Sequence, residues 1–162
     1  MRPRIADVGT GSGALAISTA LEIPKSIVTA CDIDTKCLRV AAKNAKMHDV
    51  QIEIFSGDLL RPLFHWQQPL DAILANLPYV PSRHSINQAA SHEPELAIFG
   101  GTDGLELYRR MFGQINEMPN KPRLVITESL QNQHLNLADI ATPAGYTHQR
   151  SDGLAQLFEY RY

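Results

Sequence analysis

Apolar and polar positions along this chain follow two periods in turn, which predicts an alternation of strands and helices. Short apolar runs indicate strands, whereas apolar residues spaced three and four apart indicate helices. The pattern predicts strands at residues 4–8, 27–31, 51–55, 71–75 and 123–127. Helices are expected at residues 12–21, 35–45, 105–115 and 131–141, with Thr35 capping the second of them.

A doubly wound α/β sheet is the architecture that such an alternation favours. Further strands at 146–150 and 154–160 are separated by Ser151-Asp152-Gly153, which is a hairpin signal. We therefore expect a mostly parallel, seven-stranded sheet that ends in an antiparallel hairpin. The stretch 81–102 is rich in Ser, His, Asn and Gly and long for a compact domain, so a substrate-facing loop is expected there.

The composition fits one globular domain with a real core, since 44% of the 162 residues are hydrophobic and 20% are charged. A net charge of -2 gives no sign of a phosphate-binding surface, so an autonomous nucleic-acid binder is disfavoured. Cys31 and Cys37 do not form a metal-binding pair and the histidines do not cluster, so neither a metal site nor a disulfide framework is expected. No long apolar span or charged leader is visible, which predicts a soluble cytoplasmic protein without a membrane segment.

A glycine-rich segment, Asp7-Val8-Gly9-Thr10-Gly11-Ser12-Gly13, connects the first strand to the first helix. Glycines at this place let the backbone turn tightly and approach a ligand. Gly9, Gly11 and Ala14 also satisfy the dinucleotide pattern G-x-G-x-x-G/A, so the segment alone does not identify its ligand. Asp7 argues against a dinucleotide, because a carboxylate beside the pyrophosphate would repel it, whereas a carboxylate favours a sulfonium or ammonium group.

Acidic residues follow the second and third strands as well. Asp32 comes about 20 residues after the glycine segment, where a carboxylate can accept both hydroxyls of a ribose, and Asp34 competes for the same role. Ile33 can lie against an adenine face, and Asp58 is placed to accept a hydrogen bond from the adenine amine. Ligands of such folds bind at the carboxyl ends of the strands, so Asp7, Asp32 and Asp58 are expected to converge there.

Asn76-Leu77-Pro78-Tyr79 follows directly after the apolar run of the fourth strand. The Asn76 side-chain oxygen and the Leu77 carbonyl can each accept one hydrogen of a planar NH2 group, while the Tyr79 ring packs against its plane. Leu77 precedes Pro78 and is therefore biased to extended geometry, which leaves its carbonyl available. A strand that ends in a proline turn is the plainer interpretation of this segment when it is taken alone.

A series of segments occurs in one order along the chain. They are residues 7–13, Cys-Asp-Ile-Asp at 31–34, Gly-Asp-Leu at 57–59, Asn-Leu-Pro-Tyr-Val-Pro at 76–81, His-Glu-Pro-Glu-Leu-Ala at 92–97, Gly-Gly-Thr-Asp-Gly-Leu at 100–105 and Tyr-Arg-Arg at 108–110. This order resembles the catalytic domain of the HemK-type protein glutamine N5-methyltransferases, which modify peptide chain release factors. The resemblance covers about residues 5–133. Parallel strands with a terminal hairpin also describe the Rossmann-like sheet of class I S-adenosylmethionine-dependent methyltransferases better than a dehydrogenase sheet.

The resemblance implies S-adenosylmethionine as the cofactor and a release factor, methylated at the glutamine of its Gly-Gly-Gln motif, as the protein partner. The implied cofactor-binding residues are Asp7, Gly9, Thr10, Gly11, Gly13, Asp32, Ile33, Asp58, Leu59 and Asn76. The implied catalytic segment is Asn76, Leu77, Pro78 and Tyr79, in which Asn76 and Leu77 orient the substrate amide. Glu128 and Gln133 fit the family's pattern after the fifth strand.

The chain also departs from the family that it resembles. Leu77 stands where the family usually has proline, so we expect looser positioning of its carbonyl. Residues 1–162 are expected to be a single catalytic domain that lacks the family's amino-terminal helical domain, which recruits the release factor. Two other functions stay open, namely adenine N6-methylation of DNA or RNA and cofactor binding without catalysis. The acidic net charge and the block at 93–104 argue against the nucleic-acid substrate.

Overall fold

The computed structural model describes residues 2–66, 68–82 and 100–161. Its strands are β1 (Arg4–Val8), β2 (Ile27–Asp32), β3 (Glu53–Ser56), β4 (Ala72–Ala75), β5 (Leu124–Glu128), β6 (Tyr146–Asp152) and β7 (Ala155–Tyr160). Its helices are α1 (Ala14–Glu22), α2 (Thr35–Met47), α3 (Glu106–Glu117) and α4 (His134–Ala141). The segment 92–97 and most of the expected substrate-facing loop lie outside the described residues.

The strands form one sheet of seven in the order β3-β2-β1-β4-β5-β7-β6. Neighbours among β1 to β5 pair in parallel, whereas β7 runs antiparallel to both β5 and β6. The predicted seven-stranded sheet with a terminal antiparallel hairpin is therefore confirmed. Every strand begins and ends within about two residues of its predicted position.

The strand order places a crevice beside the end of β1. β1 lies between β2 and β4. After β1 the chain continues to β2 on one side, and after β4 it continues to β5 on the other side. In α/β sheets a ligand crevice is expected where the strand order reverses in this way. Val8 pairs with both Cys31 and Ala75, so the next residues, Gly9, Asp32 and Asn76, lie at one level.

The larger core lies where α3 and α4 cover one face of the sheet. Buried side chains from alternate positions of the central strands meet those of the helices there. Phe112 of α3 makes edge contacts with Tyr146 and Phe158, at ring separations of 5.8 and 6.0 Å. A smaller cluster of Ala16, Val28 and Ala30 packs on the opposite face. None of the helices in the described part is long and apolar enough to cross a membrane.

Local details of the helix starts and of the hairpin differ from expectation. Asp34, not Thr35, caps α2, because its extended backbone lets Oδ1 accept a hydrogen bond of 2.7 Å from the Lys36 N–H. α4 begins at His134, since residues 131–133 form a 3-10 turn. The hairpin turn is Gly153-Leu154, because Asp152 still pairs with Ala155. Asp34 therefore caps the helix, whereas Asp32 contacts the glycine segment through the Gly11 N–H.

Candidate active site

The glycine segment after β1 is held against the end of β2. The N–H groups of Gly9 and Thr10 both donate to the Cys31 carbonyl, at 2.9 and 3.0 Å. Gly9 has a φ of 72°, and a Cβ atom there would lie 2.7 Å from Leu77 Cδ2. Only glycine satisfies both the left-handed backbone and this close approach. The segment thus contacts the predicted catalytic segment directly.

The buried Asp7 side chain holds the glycine segment through hydrogen bonds. Its carboxylate is 1% exposed, and Oδ2 accepts hydrogen bonds from Thr10 Oγ1 at 2.6 Å and from the Ala16 N–H at 3.1 Å. Burial raises the pKa of the Asp7 carboxyl to about 6, although the two hydrogen bonds oppose the shift. The structure gives Asp7 a role in shaping the segment, and its direct contact with a ligand stays a prediction.

Asp32 is held in a fixed orientation at the end of β2. Its Oδ2 accepts from the Gly11 N–H and its Oδ1 accepts from the Asp34 N–H, both at 2.9 Å. Each carboxylate oxygen keeps a lone pair for a further donor, as two ribose hydroxyls would require. The neighbouring Ile33 is 73% exposed, so it offers an apolar surface beside that carboxylate. Gly13, the last residue of the glycine segment, packs against α2, because a Cβ atom on Gly13 would come within 2.9 Å of Ala41 Cβ.

Asp58 joins the segment after β3 to α3. Its Oδ1 accepts from Arg110 Nη2 at 2.6 Å and its Oδ2 accepts from Gln114 Nε2 at 3.1 Å. Gln114 Oε1 in turn accepts from the Leu60 N–H at 2.8 Å, and Leu59 adopts a positive φ of 51°. Sequence reasoning missed both α3 partners of this carboxylate. An adenine amine that donates to Asp58, as predicted, must therefore bond to a carboxylate oxygen that already accepts from Arg110 or Gln114.

Asn76 and Leu77 present the predicted pair of acceptors directly after β4. The Asn76 side chain is exposed and makes no hydrogen bond with the part of the chain that the structure describes. Leu77 is 2% exposed, with its side chain packed beside Gly9. No donor among the described residues reaches the Leu77 carbonyl. The exposed Asn76 side chain is therefore open to a donor from outside, whereas the binding of an NH2 group by the buried Leu77 carbonyl stays a prediction.

Tyr79 is fixed by Glu128 at the end of β5 and by Gln133 in the segment that follows. Its hydroxyl donates to Glu128 Oε1 at 2.7 Å, and its carbonyl accepts from Gln133 Nε2 at 2.8 Å. The buried Gln133 amide also donates to the Asp103 carbonyl, at 2.8 Å. Pro78 is half-buried, and a Cβ atom at Gly100 would lie 2.2 Å from its carbonyl oxygen. The resemblance named Glu128 and Gln133, and the structure brings both to the predicted catalytic segment.

Tyr108 is a further buried residue at this end of the sheet. Its phenol is 0% exposed and lies within hydrogen-bond distance of the Leu77 N–H and of the Ala75 and Glu128 carbonyls. Burial raises the pKa of the Tyr108 hydroxyl above its usual value, so it keeps its proton. Its position on the apolar face of α3 signalled burial, but no sequence pattern named these partners.

Comparison with known proteins found a matching family model and similar curated proteins. A family model described as "Methyltransferase small domain" matches residues 1–93. A release factor glutamine methyltransferase of Bacillus anthracis is 38% identical over 127 residues, which are 76% of this chain and 45% of that protein. A ribosomal protein uL3 glutamine methyltransferase of Burkholderia pseudomallei is 35% identical over 142 residues, or 82% of this chain and 46% of that protein. The resemblance predicted from the motifs is thus confirmed, although the chain spans less than half the length of these relatives.

A solved structure supports the fold independently. The ribosomal protein L11 methylase of Lactobacillus delbrueckii subsp. bulgaricus superposes with a TM-score of 0.71 at 20% identity. The superposition covers 100% of this chain and 72% of that one. The class I methyltransferase fold is therefore confirmed.

Proposed function

Because this chain belongs to the methyltransferase small domain family, we propose that it transfers a methyl group from S-adenosylmethionine to the side-chain amide nitrogen of a glutamine in a protein. The observation that carries the proposal is the pair of acceptors on Asn76 and Leu77, which lies beside the glycine segment at Gly9. A primary amide has one planar NH2 group, so each of its hydrogens can meet one of these oxygens.

The residues near β1 and β2 fit S-adenosylmethionine. The oriented Asp32 carboxylate suits the two ribose hydroxyls, and the exposed Ile33 suits an adenine face. Glycine at position 9 keeps the backbone free of a side chain where a ligand would approach. When bound, this cofactor supplies an electrophilic methyl group on a cationic sulfur.

The contribution of the chain to the reaction is orientation. An amide nitrogen is a weak nucleophile, since its lone pair is delocalised into the carbonyl. Acceptors on both N–H groups return electron density to the nitrogen and fix its direction of attack. Asn76 and the Leu77 carbonyl supply those acceptors, and Tyr79, held by Glu128, supplies a surface for the amide plane. Once the methyl group has been transferred, the cationic nitrogen is acidic and releases one proton to water, so a strong base is not required.

A release factor bearing a Gly-Gly-Gln motif is the acceptor that we propose. The support is the name and similarity of the curated relatives, of which the Bacillus anthracis protein is 38% identical to this chain. A ribosomal protein is the alternative protein acceptor, because the Burkholderia pseudomallei relative is named for one. Either acceptor implies a cytoplasmic enzyme.

Incubation of the purified chain with methyl-labelled S-adenosylmethionine and a set of acceptors tests the proposal. The acceptors are a release factor with its Gly-Gly-Gln motif, the same factor with that glutamine changed to alanine, ribosomal protein uL3, and duplex DNA. Label in the intact release factor alone is the expected result. Label in DNA would instead support adenine N6-methylation, and cofactor binding without any transfer would indicate a non-catalytic module.

Substitution of Asn76 tests the assignment of the acceptors. Asn76→Ala is expected to lower kcat about tenfold or more while S-adenosylmethionine affinity stays nearly unchanged, because only the amide loses a contact. Asn136→Ala, at an exposed position of α4, is the matched control and should leave both quantities unchanged. Unchanged turnover in Asn76→Ala would remove Asn76 from the mechanism.

A further inference from the structure

The Tyr108 phenol occupies the point at which β4 and β5 stop pairing. Ala75 and Thr127 form the last pair of residues between these strands. Just beyond that pair, the Tyr108 hydroxyl lies 3.1 Å from the Ala75 carbonyl and also reaches the Glu128 carbonyl. A hydroxyl has one proton, so it donates to one of these carbonyls at a time. The phenol thus bridges the ends of both strands.

The same hydroxyl accepts a hydrogen bond from the catalytic segment. The Leu77 N–H donates to Tyr108 Oη at 3.3 Å, inside the protein. The Leu77 side chain is also buried, against Gly9. The hydrogen bond to Tyr108 fixes the peptide plane before Leu77, and Pro78 restricts Leu77 to extended geometry, so the two together determine the direction of the Leu77 carbonyl.

We propose that Tyr108 is a positioning residue for the methyl acceptor, acting through the Leu77 N–H to hold the Leu77 carbonyl in place. The inference rests on the proposed function, in which the Leu77 carbonyl accepts a hydrogen bond from the substrate amide. Proline at position 77 would restrict the backbone through its ring but would have no N–H to donate. In this chain the Tyr108 hydrogen bond replaces that restriction, which opposes the loose positioning expected from leucine.

Measurement of kcat for Tyr108→Phe in three backgrounds tests the inference. With Leu77 present, the substitution is expected to lower kcat about tenfold, with S-adenosylmethionine affinity changed less than about twofold. In a Leu77→Ala background, which keeps the N–H, the loss should again be about tenfold. In a Leu77→Pro background, which has no N–H, the further loss should be less than about threefold.

A matched tyrosine separates positioning from general stability. Tyr146 is also buried, and its hydroxyl donates to the Pro122 carbonyl at 2.6 Å, on a different part of the fold. Tyr146→Phe removes a buried hydroxyl in the same way, so it should lower stability but leave kcat unchanged. An equal loss from Tyr108→Phe in all three backgrounds would overturn the inference, as would no loss in any of them.

Amide hydrogen exchange of the unaltered chain provides a measurement that does not depend on a variant folding. The Leu77 amide is expected to exchange more than about tenfold more slowly than in an unstructured peptide. Exchange at the unstructured rate would overturn the inference. Failure of the proposed function can be told apart from failure of this inference. In the first case the unaltered chain transfers no methyl group to any protein acceptor, whatever the exchange rate of the Leu77 amide.

Discussion

Gly104 lies close to the predicted catalytic segment. A methyl group added at Gly104 is expected to displace Tyr79 of that segment. The φ of Gly104 is 81°, and a Cβ atom there would lie 2.0 Å from the Tyr79 carbonyl oxygen and 2.4 Å from Gln133 Nε2. One of these atoms belongs to the backbone and the other to a buried amide, so neither can move aside easily. Gly104→Ala should therefore break the hydrogen bond between Gln133 and Tyr79.

The magnitude has two parts. A non-glycine residue at such a φ is destabilised by about 1 kcal/mol. Loss of a buried hydrogen bond that leaves its partners unsatisfied adds about 2 kcal/mol. Gly153 provides a matched control, because its φ is 58° and nothing lies within 4 Å of a Cβ atom there. Gly153→Ala should therefore lose only the backbone part, about 1 kcal/mol.

Urea unfolding followed by circular dichroism measures this difference. The free energy of unfolding should fall by about 3 kcal/mol in Gly104→Ala and by about 1 kcal/mol in Gly153→Ala. In the methyl-transfer assay, kcat should fall about tenfold in Gly104→Ala alone, since only that substitution moves Tyr79. Equal losses of stability in the two variants would refute the close contact between Gly104 and the catalytic segment.

Two further expectations concern the carboxylates at the ends of β1 and β2. Burial raises the pKa of Asp7 from 3.8 to about 6, so between these values the folded protein holds a proton that the unfolded chain has lost. The unfolding free energy should fall as pH rises through this window, by about 3 kcal/mol at most, and urea unfolding of Asp7→Asn should lack that component. Asp32→Asn should weaken S-adenosylmethionine binding about tenfold in titration calorimetry, whereas the exposed control Asp139→Asn should not; equal affinities would exclude Asp32 from the site.

Sequence patterns predicted the sheet and the set of strand ends because both depend on local order. The apolar runs of β1, β2 and β4 are short and are followed by Gly9, Asp32 and Asn76, which indicates where each run ends. Parallel connections then bring the carboxyl ends to one edge of the sheet. The sequence could thus predict that Asp7, Asp32 and Asp58 lie at one edge of the sheet.

Contacts between distant segments were not predictable in this way. Asp58 meets Arg110 and Gln114 across 52 and 56 residues, and these contacts depend on how α3 packs over the sheet. A weak signal existed, since Gln114 is a polar residue on the buried face of α3, beside Met111 and Ile115. A buried polar side chain requires an internal partner, but the sequence does not say which one.

The polar groups around the catalytic segment divide into two kinds. Those that hold its shape already have partners within the fold, as the Tyr79 hydroxyl has in Glu128 and the Gln133 amide has in two carbonyls. The Asn76 side chain and the Leu77 carbonyl, by contrast, receive no donor from the residues that the structure describes. Under the proposed function, such a site becomes ordered during folding, so little reorganisation is needed when the NH2 group of a substrate binds. Under the proposed function, substitutions of Glu128 or Gln133 should therefore lower kcat by loosening the segment that carries the two acceptors, although that function gives neither side chain a contact with the reacting nitrogen.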